Sequence, residues 1–443
     1  MGLGRARNDG ADLYHRVMAV GIGVAGAGIV GGSVVRRLVD DRAVVTARTG
    51  LDLVVRRVAV RDQARPRPFT LPDGVVTGDV MDLVSDDGVD LVVEVMGGLE
   101  PAGSLVLAAL RAGKPVVTAN KELVAARGPE LVDAASAGGV SLLFEAAVGG
   151  GIPIIRPLTE TLAGEQIERV LGIVNGTTNF VLTAMAESGG SYADALAEAQ
   201  RRGYAEADPT ADVSGADAAA KAAILASLAF GVWVGPASVH REGIDRITTA
   251  DLAAAARLGY TIKLLAVAER TAGGVVARVH PSMIPFSHPL ASIRGATNAI
   301  FIEGPSVGEL LFAGPGAGGE PTATAILGDV IDAARELLAG AQVVPRIRFG
   351  PGDVATFDAV VTRWCVRLDV EDSPGVLAQV AAAFGSAGVS LQSVWQDGRG
   401  DRATLLLVTH GAPESAQRAA VEALQHLSVV AEVSSTIRVE GES

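Results

Sequence analysis

Residues 17–41 read VMAVGIGVAGAGIVGGSVVRRLVDD, and the fold turns on how they are parsed. The first part is an apolar strand. The second reads as a turn and a helix, with Val30, Val34, Val35 and Leu38 along one face. Gly26-Ala27-Gly28-Ile29-Val30-Gly31, a G-x-G-x-x-G pattern, stands at the join. The pattern is common by itself, but between a strand and a helix it marks a dinucleotide site. Its chemistry is backbone access. Gly26 makes the turn, Gly28 lets a pyrophosphate approach, and Gly31 lets helix and strand close up, with the helix N-terminus facing the anion. A glycine-rich turn without a ligand is the plainer alternative. A signal peptide is the other reading of an apolar run behind a few arginines. The run is too short for a bilayer, and its glycine spacing suits the turn.

Working outward, strand and helix keep alternating. LDLVVRRVAV (51–60), VDLVVEVMGG (89–98) and KPVVTANK (114–121) read as strands, and PAGSLVLAALRAG (101–113) as a helix. This predicts an α/β domain over 17–147, a Rossmann-like doubly wound parallel sheet. Residues 1–16 read as a loose extension. Near 147 the texture changes to glycine- and proline-rich stretches mixed with helical ones, which predicts a second, α+β domain over 148–328. GPGAGGEPTATAILGDVIDAARELL (314–338) is a glycine-rich loop opening a helix, striped by Leu327, Val330, Ile331 and Ala334. A returning helix and linker fill 329–361. From 362 the order is βαββαβ, a ferredoxin-like unit over 362–440, with Asp372 or Ser373 expected to cap its first helix and Pro374 in the first turn.

The totals exclude several classes. A net charge of −13 argues against nucleic-acid or anionic-membrane partners. One cysteine, Cys365, excludes an internal disulfide and fits a reducing, cytoplasmic compartment. Only four of the 37 basic residues are lysine: Lys114, Lys121, Lys221 and Lys263. A lysine kept in so arginine-rich a chain is a candidate for proton transfer, because arginine in practice does not give up its proton. Arg61 follows the second strand and would suit the 2′-phosphate of NADP, whereas Asp62 beside it would suit NAD. NADP is favoured, with the strand end blurred by an insertion, TARTGLDL (46–53).

The stretch EADPTADVSGADAAAK (206–221) sets Glu206, Asp208, Asp212 and Asp217 ahead of Lys221. Asp217 and Lys221 share a helix face, which by itself describes an exposed ion pair. Ile224, Leu225 and Leu228 continue that face, so the pair sits at the end of a buried stripe. Desolvation lowers the pKa of such a lysine while the aspartate holds it charged, a balance suited to a general acid. Ser214 is the expected helix cap. Asp208-Pro209 and Gly215 fold the loop so that Glu206 and Asp212 return toward the pair. These carboxylates call for a cation, a metal or a substrate ammonium, and the absence of EF-hand spacing or nearby histidines favours the ammonium.

AQRRGYAEADPTADVSGADAAAK (199–221), with GAGIVG, EVMGG, TANK, FEAAVGGGIP, NGTTNF and GPGAGGEPTA in order, resembles the homoserine dehydrogenase family over about 17–345. The resemblance implies NADPH- or NADH-dependent reduction of L-aspartate 4-semialdehyde to L-homoserine, in threonine, methionine and isoleucine biosynthesis. It implies that Lys221 is the proton donor beside Asp217, that Glu206 and Asp212 bind the substrate, and that Lys121 assists where cofactor and substrate meet. Gly97, Gly203 and Gly318 lie in loops toward the nicotinamide. A structural sodium ion would take Glu145, Val148, Gly150 and Ile152. The assembly would be a homodimer or homotetramer. DSPGVLAQVAAAF (372–384) and GVSLQSV (388–394) resemble an ACT domain, which implies feedback regulation, threonine first. Ser390 stands where many such domains carry asparagine, which leaves the effector open. Two rivals remain: an ACT-tailed dehydrogenase with a catalytic histidine, although no histidine lies between His15 and His240, and a non-catalytic NAD(P)-linked sensor that leaves Lys221 idle.

Overall fold

The structure is a computed structural model that describes residues 18–67, 69, 71, 73–340 and 343–441; the expected loose extension 1–16 lies outside them. The chain forms two compact units. The first comprises residues up to Leu123, then Glu130–Ala146 and Gly318–Pro345. It runs β1 (Met18–Ala25), α1 (Ile29–Asp40), α2 (Arg42–Thr49), β2 (Leu51–Ala59), β3 (Val76–Thr77), α3 (Asp82–Ser85), β4 (Leu91–Glu94), α4 (Ala102–Arg111), β5 (Val116–Thr118), α5 (Lys121–Gly138) and β6 (Leu142–Leu143). The strands form one all-parallel sheet in the order β3-β2-β1-β4-β5-β6. Strands covered on both faces carry near-continuous apolar runs, and Ile22, Leu91, Val92 and Val93 are fully buried. Val34, Val35 and Leu38 of α1 pack into the core as their spacing predicts, while Val30 is partly buried against it. The expected insertion is otherwise placed. Thr46–Thr49 end α2, a surface helix with no buried residue, Gly50 turns the chain at φ +74°, and Leu51 starts β2.

The second unit takes residues 124–129, 147–317 and 346 onward. Its elements are β7 (Arg169–Ile173), α6 (Gly176–Ser188), α7 (Tyr192–Arg201), α8 (Thr210–Val213), α9 (Ala216–Phe230), β8 (His240–Arg241), α10 (Thr249–Arg257), β9 (Tyr260–Thr271), β10 (Gly274–Pro285), β11 (Thr297–Gly304) and β12 (Gly308–Pro315). The chain then visits the first unit as α11 (Gly319–Ala339). It returns for β13 (Val361–Glu371), α12 (Val376–Ser386), β14 (Leu391–Arg399), β15 (Arg402–Thr409), β16 (Ala412–Pro413), α13 (Glu414–Gln425) and β17 (Val430–Val439). This last stretch is the expected βαββαβ order, with its antiparallel strands arranged β17-β13-β15-β14. Its first helix starts later than the sequence implies. Gly375, at φ +90°, precedes Val376, so neither Asp372 nor Ser373 caps it and Pro374 lies outside. Among the described residues, no helix is long and apolar enough to cross a membrane.

The terminal strands do not form a separate sheet. β17 pairs in parallel with β10, Ser282 opposite Arg438 and Met283 opposite Val439. The result is one eleven-stranded sheet running from β12 to β14. The seam is ionic and buried. Arg278 reaches Glu269 at 2.7 Å and Glu440 at 2.9 Å, and Arg169 pairs with both carboxylates. Burial would raise the Glu440 carboxyl, but Arg278 and Arg169 outweigh it and hold it at about 2. Burial first, then Arg438, pushes His280 down from 6.5 to about 3. The sign follows. The unfolded chain protonates His280 first, so its contribution is complete above about pH 6.5 and is lost as pH falls toward 3. Glu440 loses its contribution lower, between 4.5 and about 2. The melting temperature is therefore expected to fall steadily below about pH 6.5, and His280→Phe to flatten the upper part of that fall in a melting series.

Candidate functional site

In the first unit the glycine motif forms a turn with one open side. Gly26 sits at φ +104° and donates its N–H to Ala59 O at 2.9 Å, beside the end of β2. A Cβ on Gly26 would lie 2.8 Å from Val95 O, and one on Gly31 only 2.1 Å from Gly26 O. Among the described residues, nothing lies within 4 Å of a would-be Cβ on Gly28. Two glycines are thus required by packing, and the middle one faces open space at the N-terminus of α1. That helix has no side-chain cap and no acidic residue in its first turn, so its first N–H groups and dipole suit an anion. The cradle fits a dinucleotide pyrophosphate. Ala27 is partly buried, Ile29 is exposed, and Arg61 is exposed two residues past β2. Gly31→Ala is expected to weaken NADPH binding at least about tenfold and to lower the melting temperature, because the Gly26 backbone of the turn, with the Val95 side chain, must move; fluorescence titration and a thermal melt check both.

The loops beyond β4 and β5 are organised by a residue that the motifs did not single out. Glu94, fully buried, accepts from Met96 N at 2.8 Å, Gly97 N at 3.3 Å and Thr118 Oγ1 at 2.5 Å. Asn120 donates to Gly98 O at 2.7 Å and caps α5 through Leu123 N at 3.1 Å. Gly97 is therefore held at φ +76°, and Lys121 is the first residue of α5. Gly318, at φ +119°, precedes α11, whose Gly319 packs onto Ile29 and Ser33 of α1. Glu145 is buried, and its N–H donates to Asp329 Oδ2 at 2.8 Å.

In the second unit, α9 carries the lysine. The helix follows Gly215 at φ +77°, and no side chain caps it, so Ser214 is not the cap. Its following face is buried through Ile224 and Leu225, which draws the first turn inward. Lys221 Nζ donates to Asp217 Oδ2 at 2.6 Å and to Val174 O at 2.8 Å, and both side chains are only 12% exposed. Among the described residues, two of the three ammonium N–H groups are taken. Asn175, the N-cap of α6, ties a second carboxylate into the group. Its Nδ2 lies 2.9 Å from Asp217 Oδ2 and 2.7 Å from Asp212 Oδ1. Thr177 Oγ1 lies 3.0 Å from Asp212 Oδ2 and 2.6 Å from Tyr204 O. Asp212, Asp217 and Lys221 thus come together through two residues of the NGTTNF stretch.

Glu206 does not join this contact. It is exposed, its backbone carbonyl accepts from Gln200, and among the described residues its side chain makes no bond to the pair. Gly203 turns the same loop at φ +74°. Asp208 holds the turn, accepting from Thr210 N at 3.1 Å and Thr210 Oγ1 at 2.6 Å. Val148 and Ile152 are buried, and Gly150 lies against Gly316 at φ +56°. Among the described residues, no group of three or more His, Cys, Asp or Glu is set to hold a metal.

Asp212 and Asp217 place carboxylate oxygens beside the Lys221 ammonium, and carboxylate oxygens are able to receive a cation. The lysine has an N–H in reserve, able to meet a developing alkoxide. A parallel sheet ordered 3-2-1-4-5-6 with an open glycine cradle, carried with such a lysine in one chain, defines an NAD(P)-dependent oxidoreductase. Residues 26–145 match the NAD binding domain model of homoserine dehydrogenase, and residues 153–331 match the homoserine dehydrogenase model. The chain is 50% identical over 427 residues to homoserine dehydrogenase of Corynebacterium glutamicum, covering 95% of this chain and 96% of that protein. A crystal structure of a homoserine dehydrogenase from Thiobacillus denitrificans superposes with a TM-score of 0.90 at 40% identity, covering 96% of this chain and 99% of that one. A hyperthermophilic archaeal homoserine dehydrogenase in complex with NADPH matches at a TM-score of 0.61 and 29% identity, over 72% of this chain and 98% of that one. The chain belongs to the homoserine dehydrogenase family. Its reaction is the reversible, NAD(P)H-dependent reduction of L-aspartate 4-semialdehyde to L-homoserine.

Proposed function

We propose that Lys221 protonates the aldehyde oxygen of aspartate semialdehyde during this reduction. The observation that carries the reading is the ammonium held by Asp217 and Val174 O with one N–H in reserve. When bound, the reduced nicotinamide supplies the hydride to the carbonyl carbon. Lys221 gives its proton to the alkoxide oxygen, so aldehyde plus hydride plus proton yields the alcohol. Asp217 holds the ammonium in place for that step, and in the reverse direction the amine takes the proton back. Asp212 and Glu206 receive the substrate ammonium. Fixing that end orients the carbonyl, which is where positioning lowers the barrier. Lys121, at the start of α5, assists.

Arg61 would hold the 2′-phosphate of NADP, and NADPH in the archaeal relative supports that choice. A sodium ion on Glu145, Val148, Gly150 and Ile152 belongs to the same reading, since a carboxylate and backbone carbonyls are the hard oxygen donors such a cation takes. The βαββαβ unit reads as an ACT domain that receives threonine, in a cytoplasmic homodimer or homotetramer. The experiment is loss of NADPH absorbance on adding aspartate semialdehyde, with and without threonine. Turnover that threonine depresses supports both parts. Unchanged kinetics together with an unchanged melting temperature removes the regulatory part, and no turnover with the semialdehyde removes the catalytic one.

A further inference from the structure

Helix α9 is entered through Val213-Ser214-Gly215, and that entry rests on a floor made by residues 241–244. Ile244 N donates to Val213 O at 2.9 Å. Gly243 lies so close beneath that a Cβ would stand 2.3 Å from Val213 O and 2.9 Å from Ser214 Cα. A Cβ on Gly215 would come within 3.1 Å of Glu242 O. Glu242 fixes this floor from both ends. Its N–H donates to Val279 O of β10 at 2.8 Å. Its carboxylate accepts a hydrogen bond from Arg438 Nη1 at 2.8 Å, pairs with Arg438 Nη2 at 2.8 Å, and lies 2.8 Å from His240 Nε2. Arg438, on β17, is buried and is gripped on its other side by Glu414 at 2.7 and 3.0 Å. Its guanidinium also lies over the rings of Phe357 and Trp364. A planar fork held between two carboxylates and two rings has little freedom to shift.

We propose that Glu242, clamped by Arg438, is a positioning residue for the Asp217–Lys221 pair, so that the C-terminal βαββαβ unit determines where the helix carrying the lysine begins. This rests on the reading of Lys221 as proton donor. The chain of contacts is short: Glu414, Arg438, Glu242, then the backbone under Gly215. A misplacement of about 1 Å at a reacting group can cost about 100-fold in rate, so a small give in the floor is visible in kinetics.

The test compares Glu242→Gln, Arg438→Met, Arg438→Lys and the double variant Glu242→Gln/Arg438→Met in the full chain, with Lys221→Ala as control. Glu242→Gln and Arg438→Met are each expected to lower kcat about tenfold while NADPH affinity stays within about twofold. The double variant is expected to be no worse than Arg438→Met alone, because the two residues act as one unit. Arg438→Lys is expected to recover part of the loss by keeping the charge. A folded Glu242→Gln or Arg438→Met enzyme whose kcat stays within about twofold overturns the proposal, even if its melting temperature drops, and so do additive losses. Failure of both to fold also counts against it, since the contact would then serve stability. If Lys221→Ala itself stays active, the lysine reading fails first. If it is inactive while the other variants are unchanged, only the positioning proposal falls.

Discussion

Lys221→Ala is expected to lower kcat by about 100- to 10,000-fold, the range that a positioned general acid contributes. NADPH affinity is expected to stay near its parent value, because the glycine cradle that suits the pyrophosphate is built from Gly26, Gly28 and Gly31 and does not include Lys221. The loss falls on kcat and kcat/KM together, as for an interaction made chiefly in the transition state. Lys221→Arg is expected not to rescue turnover, because a guanidinium keeps its proton. The side chain is short of room for another explanation. It lies 12% exposed, between Asp217 and a backbone carbonyl, a site that a solvated surface pair does not need. Stopped-flow and steady-state NADPH oxidation read the effect directly. Parent-like turnover in Lys221→Ala would remove the lysine from the mechanism.

Asn175→Ala carries the second large effect. One amide nitrogen serves Asp212 and Asp217, and the side-chain oxygen caps α6 through Thr178 N at 2.9 Å. Removing it takes away a donor that both carboxylates share. A buried hydrogen bond to a charged group is worth about 1.5–3 kcal/mol, so kcat/KM is expected to drop about 10- to 100-fold. The lost cap adds about 1 kcal/mol of instability. Asn175→Ser separates the two roles. A serine still caps the helix but does not span both carboxylates, so the melting temperature is expected to recover while kcat/KM stays low. Recovery of both would mean that the amide matters only for the helix end.

What the sequence made legible was local and periodic. The β1–α1 join, the alternation behind it and the i,i+4 spacing of Asp217 and Lys221 all lie within a few residues of themselves. What it hid follows from the same limit. Glu94 and Asn120 act through loop N–H and carbonyl groups, to which apolar periodicity is blind, although an acid at the end of the apolar run of β4 is a signal in its own right. Asn175 was visible only as part of a motif, and its two carboxylate partners lie 37 and 42 residues away. Glu242 and Arg438 are 196 residues apart. The polar residues at 214 and 372–373 point to side-chain caps, but glycines at positive φ, Gly215 and Gly375, stand just before both helices instead. A left-handed glycine sharpens an entry without a side-chain cap, and a polar neighbour masks it. Helix α2 was missed because it buries nothing and so leaves no apolar stripe.

The most direct test of the central claim follows the transferred atoms. The full chain is incubated with NADPH carrying deuterium at the transferable position of nicotinamide C4 and with aspartate semialdehyde, and the product is read by mass spectrometry beside the Lys221→Ala variant. The expected result is homoserine bearing one deuterium on C4, formed by the parent chain and nearly absent with Lys221→Ala. Unlabelled homoserine, or labelled homoserine formed equally fast without the lysine, would contradict the account.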